Sequence, residues 1–283
     1  MNQKTAAEFI REGANILEKA GVADAYHDAR ALMKATYPKA LDPLSENGIS
    51  NDKAAAFMAL VQRRARREPL QHILGEASIY ELTLKSDARA LIPRHDSAEA
   101  ISLAIDSLSK MNLLVPAIAD LGTGSGVLLA EILHRFENAR GFAIERDEKA
   151  LSLAAENFET LGLSARTEVF KGSWTEWHGW PDCDLILSNP PYIQSAVIPT
   201  LQPEVRDHDP LAALDGGPDG LDAYREITKL AAAQMKPGAF LVFEIGFDQK
   251  EAVSQLLLKA GFTDLRHQQD LGGQDRAIAA LKS

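Results

Sequence analysis

Apolar residues in the first quarter of the chain recur at the spacing of amphipathic α-helices. The first predicted helix is carried by four apolar residues, Phe9, Ile10, Ile16 and Leu17. It ends at Gly21, and the same spacing predicts a second helix over 23–37 and a third over 51–68. We therefore predict a small helical N-terminal domain over residues 1–75.

The third predicted helix ends in a cluster of positive charge formed by Arg63, Arg64, Arg66 and Arg67. Cations near a helix C-terminus interact favourably with the helix dipole, so a solvated helix end is the simplest interpretation. Contact with an acidic partner surface or with RNA is the alternative.

After this domain the periodicity changes. Alternation over 79–84 indicates a strand, and residues 76–90 are predicted to form a hairpin or linker. Beyond Pro93, predicted strands at 118–120, 141–145, 167–170, 184–188 and 240–244 alternate with predicted helices at 125–137, 147–162, 219–235 and 248–260. Two last strands, at 263–268 and 276–281, flank a short glycine turn and look antiparallel. The pattern predicts an α/β fold over 91–283, with a mainly parallel, doubly wound sheet and an antiparallel last strand.

Composition narrows the class of protein. The 283 residues carry a formal net charge of -10, which argues against a dedicated nucleic-acid binder because such proteins usually show a basic surplus. Cys183 is the sole cysteine, so no disulfide within the chain and no multi-cysteine metal site can form, and we expect no metal. No apolar run approaches the ~20 residues needed to cross a bilayer. We expect a cytoplasmic, monomeric protein with no membrane contact and no stable nucleic-acid binding.

A glycine-rich segment follows the first strand of the α/β region, with the sequence Asp120-Leu121-Gly122-Thr123-Gly124-Ser125-Gly126. Glycine tolerates positive φ and lets the backbone approach a ligand closely. The spacing differs from that of dinucleotide sites, and no lysine follows to bind phosphates. Glu145 ends the next strand, where a carboxylate can accept hydrogen bonds from both hydroxyls of a ribose. This combination suits S-adenosylmethionine, which has a ribose and a sulfonium but no phosphate; a plain strand-to-helix turn is the alternative.

A second motif follows the strand at 184–188, with the sequence Asn189-Pro190-Pro191-Tyr192. The prolines lack backbone N–H donors, so this segment offers mainly acceptors. The side-chain oxygen of Asn189 and the carbonyl of Pro190 can accept the two N–H bonds of an amide or amino NH2 group. Tyr192 can stack on a planar group. We predict catalytic roles for all four residues in methyl transfer to nitrogen, and for Asn189 a contact with the cofactor as well.

Together these motifs resemble the amino-group methyltransferases, and in particular the HemK-like (PrmC) release factor glutamine methyltransferases. Five further stretches support the resemblance, at 68–75, 91–94, 205–208, 214–221 and 243–246.

The resemblance implies a Rossmann-like class I methyltransferase domain after a helical substrate-recognition domain. It implies methyl transfer from S-adenosylmethionine to the amide nitrogen (N5) of the glutamine in the Gly-Gly-Gln loop of class I peptide chain release factors. It also implies that Trp174 lies near the adenine and that the loop 201–215 closes over the partner. Family members commonly have an acidic residue where Ser173 stands, so the contact with the adenine amino group stays open.

Two other substrates remain possible at this level. Related enzymes methylate a glutamine of a large-subunit ribosomal protein, and the same motif serves DNA or RNA amino-methyltransferases, which extract their base and need a basic cleft. The chain also carries its own Gly272-Gly273-Gln274, which we interpret as a coincidence in a hairpin turn.

Overall fold

The computed structural model describes residues 4–38 and 48–283. The helices are α1 (Ala6–Lys19), α2 (Ala25–Thr36), α3 (Asn51–Ala65), α4 (Leu70–Leu74), α5 (Ser97–Met111), α6 (Val127–Arg135), α7 (Glu148–Thr160), α8 (Pro203–Arg206), α9 (Leu211–Leu214), α10 (Asp222–Gln234) and α11 (Lys250–Lys259). The strands are β1 (Glu76–Ser78), β2 (Thr83–Lys85), β3 (Ala117–Leu121), β4 (Arg140–Glu145), β5 (Thr167–Lys171), β6 (Leu185–Ser188), β7 (Phe240–Glu244), β8 (Phe262–Gln269) and β9 (Asp275–Lys282). Across the described ranges, no helix combines the length and the apolar character that a membrane span requires.

The described residues form two compact units. One contains the residues up to Glu76 together with Gln202–His208, and the other contains Ala77–Leu201 and Asp209–Ser283. The division follows the contacts within each unit, so the short segment that carries α8 groups with the N-terminal helices.

The first unit is built on the three helices that the sequence predicts. Leu17 of α1, Leu32 of α2 and Phe57 of α3 are fully buried in its core. Helix α1 starts with a capping box between Thr5 and Glu8, which satisfies backbone donors at its first turn. The end of this helix is confirmed too, because the chain leaves it through Gly21, which has a φ of +77°.

Arg64 and Arg67 of the arginine cluster at the end of α3 pair with carboxylates. Arg64 is buried and donates to Asp28 at 2.7 Å and to Glu204 at 2.8 Å. Arg67 donates to both carboxylate oxygens of Glu204 at 2.6 and 2.5 Å. Burial raises the pKa of Glu204, but the hydrogen bonds from Arg67 and Arg64 outweigh it and hold the value at about 2. The solvated interpretation is therefore wrong for Arg64 and Arg67, which pair within their own unit.

The second unit confirms the predicted α/β class. Across residues 117–282, seven strands form one sheet in the order β5-β4-β3-β6-β7-β9-β8. Strands β3 to β7 are parallel, and β9 is antiparallel to both β7 and β8. Every predicted strand of this sheet is present within a few residues of its predicted bounds.

Two sequence interpretations in this unit need correction. The alternation over 79–84 does not form one strand, because the chain turns at Tyr80, which has a φ of +34°, between β1 and β2. These two strands form a separate two-stranded sheet. Helix α5 was missed by the sequence interpretation, although Ala100, Ile101, Ala104 and Leu108 line its buried side.

Both faces of the large sheet are covered by helices. Successive residues of β6 and β7 alternate between two apolar clusters: Leu187 and Val242 belong to the cluster with α5 and α6, and Ile186 and Leu241 to the cluster with α10 and α11. Strands buried on both faces are near-continuously apolar, as these are. Polar side chains that follow such strands then meet at their carboxyl ends, which is where the cavity described below is found.

The tripeptide Gly272-Gly273-Gln274 lies in the turn between β8 and β9, as predicted. The backbone N–H groups of Gly272 and Gln274 both donate to Oδ1 of Asp270, at 2.8 and 3.0 Å. Gly273 has a φ of +77°, which a glycine adopts without strain. Turn geometry accounts for these glycines.

Candidate active site

A cavity of about 350 Å³ opens at the carboxyl ends of the parallel strands in the second unit. Ligand sites of open α/β sheets occur at this edge, and about 300–1,000 Å³ is usual for small molecules. Nine of the residues singled out from the sequence line this cavity: Gly122, Thr123, Gly124, Ser125, Glu145, Trp174, Asn189, Pro190 and Pro191. The other three predicted site residues, Asp120, Gly126 and Tyr192, are not among the described residues that line the cavity.

The glycine loop adopts a conformation that few other residues tolerate. Gly122, Gly124 and Gly126 have φ values of +74°, +56° and +85°. A Cβ on Gly124 would meet no atom closer than 4.0 Å, so this glycine leaves open space in the loop. A Cβ on Gly126 would approach a ring carbon of Phe158 to 2.8 Å, so this glycine allows α6 to pack closely against α7. The loop thus combines an open side near the cavity with a packed side.

Glu145 joins the glycine loop to the cavity wall. Its Oε2 accepts the backbone N–H of Gly124 at 3.1 Å, and its Oε1 accepts that of Asp147 at 2.9 Å. A carboxylate has about four lone-pair sites, so acceptor capacity remains on both oxygens. The two bonds fix the orientation of the carboxylate, which is what recognition of a vicinal diol requires.

Asp120 lies buried at the start of the same loop. Its Oδ2 accepts the hydroxyl of Thr123 at 2.7 Å, whereas within the described chain its Oδ1 has no hydrogen-bond partner. Burial raises the pKa of Asp120 to about 7; the charge of Glu145 adds to this shift, and the Thr123 bond opposes it. The position suits a role in holding the loop, and it makes the folding free energy sensitive to pH.

We expect Asp120→Asn to stabilise the ligand-free protein at pH 8 by about 4 kcal/mol, and at pH 5 by less than half of that. A raised carboxyl pKa means that the folded state keeps a proton which the unfolded chain loses above about pH 4. Stability is therefore lost as the pH rises towards 7, by about 4 kcal/mol for a shift of about three units. Thermal unfolding of both proteins at the two pH values measures this.

The control for that experiment is Asp219→Asn. The hydrogen bond from Arg225 lowers the pKa of this exposed carboxylate, so it stays ionised from pH 5 to pH 8. Its effect on the melting temperature should be the same at both pH values. The raised pKa of Asp120 would be contradicted if the difference in melting temperature between Asp120→Asn and wild type did not grow from pH 5 to pH 8.

Trp174 and Glu226 form one wall of the cavity. The indole N–H of Trp174 donates to Oε2 of Glu226 at 2.7 Å, and both residues line the cavity. The indole also faces the glycine loop, since a Cβ on Gly122 would lie 3.7 Å from its ring. Glu226 was missed by the sequence interpretation; it places a carboxylate near the position where Ser173 replaces the expected acidic residue.

The Asn189–Tyr192 segment leaves the end of β6 and is held by the backbone around it. A Cβ on Gly216 would come within 2.7 Å of Cα of Tyr192 and 2.8 Å of the carbonyl oxygen of Pro191. Nε2 of Gln249 donates to the carbonyl oxygens of Tyr192 and Gly220, each at 3.1 Å. The glycines of the 214–221 stretch therefore permit a close approach that keeps the motif in place. Burial raises the pKa of the Tyr192 phenol, so this side chain stays neutral.

A buried carboxylate lies beside this motif. Glu244 ends β7, is only 1% exposed, and accepts the hydroxyl of Ser97 at 2.7 Å. Burial raises its pKa to about 7, with opposing hydrogen bonds from Ser97 and from the side chain of Asn189. The sequence interpretation did not include Glu244, although a glutamate that ends a run of four apolar strand residues is a visible signal.

The loop that follows the Asn189–Tyr192 segment contains a residue of a charged pair and then lines the cavity. Arg94 donates to Oδ2 of Asp209 at 2.6 Å, and the Asp209 side chain is fully buried. Pro210, Ala212 and Ala213 then line the cavity. Arg94 belongs to a stretch that carried the family resemblance, but its partner could not be identified from the sequence.

These residues fit S-adenosylmethionine on chemical grounds. Beside the open glycine loop lies an oriented carboxylate, Glu145, that can accept ribose hydroxyls. Within the described residues the buried Oδ1 of Asp120 has no hydrogen-bond partner, so it offers a free acceptor at the start of the loop. None of Gly122 to Gly126 is basic, which suits a ligand without phosphate.

Comparisons with known proteins find similar sequences over most of the chain. A family model described as the PrmC N-terminal domain matches residues 8–75, and one described as the methyltransferase small domain matches residues 99–201. The chain is 36% identical over 272 residues to the release factor glutamine methyltransferase of Caulobacter vibrioides. The alignment covers 94% of this chain and 93% of the relative. It is 40% identical over 230 residues to the release factor glutamine methyltransferase of Geobacter sulfurreducens, with 81% and 79% covered.

A solved structure shares the fold. The methyltransferase from Pyrococcus furiosus superimposes with a TM-score of 0.51 at 18% identity, over 71% of this chain and 88% of that one. At this identity the likeness concerns the fold alone, and it agrees with the parallel sheet and antiparallel β9 described above.

Proposed function

The chain belongs to the family of release factor glutamine methyltransferases, and from this premise we propose that it methylates the side-chain amide nitrogen of a glutamine in a peptide chain release factor. The cofactor in this proposal is S-adenosylmethionine, and the substrate is the glutamine of the Gly-Gly-Gln loop of class I factors. One observation carries it: the glycine loop, Glu145 and Asn189-Pro190 line a single cavity.

The glycine loop and Glu145 hold the cofactor in this proposal. Gly122 and Gly124 let the ligand approach the backbone, Glu145 accepts the ribose hydroxyls, and Trp174 lies against the adenine. When bound, S-adenosylmethionine supplies a methyl group from a positively charged sulfur that leaves as a neutral thioether. The remaining requirement is to present a nitrogen that is a poor nucleophile.

Asn189 and Pro190 present that nitrogen. The lone pair of an amide is delocalised, so its attack depends on orientation. Two acceptors in one plane, Oδ1 of Asn189 and the carbonyl oxygen of Pro190, hold both N–H bonds and aim the nitrogen at the methyl group. Positioning of this kind can contribute up to about 7–11 kcal/mol for ideal geometry. No strong base is needed, because a proton leaves readily once the nitrogen becomes cationic.

We expect Glu145→Ala to weaken S-adenosylmethionine binding about 10- to 100-fold, because hydrogen bonds to a charged acceptor contribute about 1.5–3 kcal/mol. Calorimetry on the full chain measures the dissociation constant. Glu148→Ala is the matched control, since this exposed glutamate in the next helix pairs with Lys171 and does not line the cavity. Unchanged affinity in Glu145→Ala would contradict the assignment.

Tandem mass spectrometry tests the proposed reaction. A class I release factor incubated with this protein and S-adenosylmethionine should gain one methyl group, on the glutamine of its Gly-Gly-Gln loop. A methyl group on any other residue of the factor would contradict the proposed site.

A further inference from the structure

A buried carboxylate next to the predicted catalytic asparagine has no role in the mechanism above. Glu244 is the last residue of β7, and Asn189 follows the last residue of β6. The two strands are parallel neighbours with Ser188 opposite Phe243, and extending this register by one residue places Asn189 opposite Glu244. Neighbouring residues in register direct their side chains to the same face of a sheet.

The face in question is the one that α5 covers. Val242 and Leu187, two residues before Glu244 and Asn189, belong to the apolar cluster on that side. Ser97, at the first turn of α5, donates its hydroxyl to Oε2 of Glu244. The carboxylate therefore lies beside the first turn of α5, on the face of the sheet to which the extended register directs Asn189.

We propose that Glu244 is a positioning residue that accepts the side-chain N–H of Asn189 and thereby directs Oδ1 of Asn189 into the cavity. The inference rests on the proposed function for its catalytic consequence. The two ends of an asparagine amide have similar shape and opposite hydrogen-bonding character. A mechanism that uses the oxygen as an acceptor needs a partner that holds the nitrogen, and an ionised carboxylate is a pure acceptor. With Ser97 as a second donor, Glu244 is fixed in turn.

The state of this carboxylate depends on the groups that surround it. Burial raises the pKa of Glu244, the Ser97 hydroxyl opposes this shift and the charge of Asp96 adds to it, and Arg276 and the Asn189 side chain favour the ionised form. Other polar groups that face it are Ser97 from α5, Arg276 from β9, the Tyr192 phenol, and the Tyr224 hydroxyl, which donates to the main-chain oxygen of Glu244. With a pKa raised to about 7, Glu244 is ionised above neutral pH and protonated below it.

Protonation would remove the orientation of the amide. A protonated carboxyl has a donor of its own, which competes for Oδ1 of Asn189. The inference therefore predicts that the Asn189 amide changes its environment as the pH passes through about 7, and that turnover falls on the acidic side. Asp120 titrates in the same range, so the assignment needs a probe at Asn189 itself.

The test uses the full chain labelled with 15N-asparagine, without ligand, in wild type, Glu244→Gln and Glu244→Ala. The Asn189 side-chain resonances are identified by their loss in Asn189→Ala. We expect them to shift with a midpoint near pH 7 in wild type and to be independent of pH in both Glu244 variants. Glu131→Gln is the control: Glu131 is also a buried glutamate with a raised pKa, but it accepts backbone N–H groups of the β1–β2 turn. It should leave the Asn189 resonances unchanged.

Turnover on a release factor supplies the second readout. Glu244→Ala should lower kcat about 10²-fold with unchanged cofactor affinity, since a small misplacement at the reacting centre has that effect. Glu244→Gln carries an amide donor, as the protonated carboxyl does, so its kcat should be lowered at every pH and should not show the fall below pH 7 that Glu244 causes.

The inference would be overturned if the Asn189 resonances changed neither with pH nor on the Glu244→Gln substitution, even if the enzyme were active. A wild type that modifies no release factor while the resonances follow Glu244 would overturn the proposed function and leave the positioning intact. A purely structural Glu244 would lower the melting temperature in both variants without moving either readout.

Discussion

Asn189→Ala is expected to lower the kcat for release factor methylation about 10²–10³-fold while S-adenosylmethionine binds almost as tightly as to wild type. The loss follows from removing one preorganised hydrogen-bond partner of the reacting group, which has an effect of this size in other enzymes. Binding persists because the glycine loop and Glu145, which hold the cofactor in our account, lie on β3 and β4 rather than on β6. Single-turnover rates and calorimetric dissociation constants separate the two quantities.

A matched control guards against a general loss of activity. Asn138→Ala removes the same side chain from an exposed position between α6 and β4, away from the cavity. It should leave both quantities unchanged. Near-normal turnover in Asn189→Ala would show that Asn189 is not an acceptor for the substrate amide.

The second large effect concerns the substrate. A release factor with glutamate in place of the loop glutamine should be methylated at least about 10⁴-fold more slowly, because a site built to bind N–H groups rejects an analogue that lacks them. The carboxylate has no N–H to donate, and its charge would face Oδ1 of Asn189 and the carbonyl oxygen of Pro190. Above neutral pH the charge of Glu244, which interacts with Asn189, adds to the repulsion.

This discrimination is measured as the ratio of kcat/KM values for the two release factors. The glutamate form should still compete with the glutamine form for the enzyme, because the rest of its surface is intact. Competition without methylation would place the discrimination at the amide contacts. Methylation of both forms at similar rates would rule out the two-acceptor mechanism.

Much of the fold was predictable because its signals are local. Strands buried on both faces are apolar throughout, and the glycine loop and the Asn189–Tyr192 segment follow two of them directly along the chain. Ligand sites of parallel sheets lie at carboxyl ends, so the meeting of these motifs in one cavity follows from topology. Gly21 likewise marked the end of α1 by its conformational freedom.

The contacts that complete the site were not predictable in this way. Ser97 and Glu244 are 147 residues apart, Trp174 and Glu226 are 52 apart, and Arg94 and Asp209 are 115 apart. No periodicity relates residues at such separations, since their pairing depends on how helices pack on the sheet.

The errors have physical causes as well. The arginines at the end of α3 were interpreted from their own helix, whereas Asp28 and Glu204 bury two of them from other segments. Helix α5 was missed although Ala100, Ala104 and Leu108 recur at helical spacing, because alanine contrasts weakly with polar neighbours. The strand predicted at 79–84 followed its alternating pattern through a turn that Tyr80 makes at positive φ.

The most direct test of the central claim is the distribution of label from radiolabelled S-adenosylmethionine among candidate acceptors. The reactions contain this protein with a class I release factor, its Gln→Glu form, a large-subunit ribosomal protein, or DNA. Our account predicts label only on the release factor that carries glutamine in its Gly-Gly-Gln loop. Label on the ribosomal protein or on DNA, with none on the release factor, would contradict it and identify the acceptor class instead.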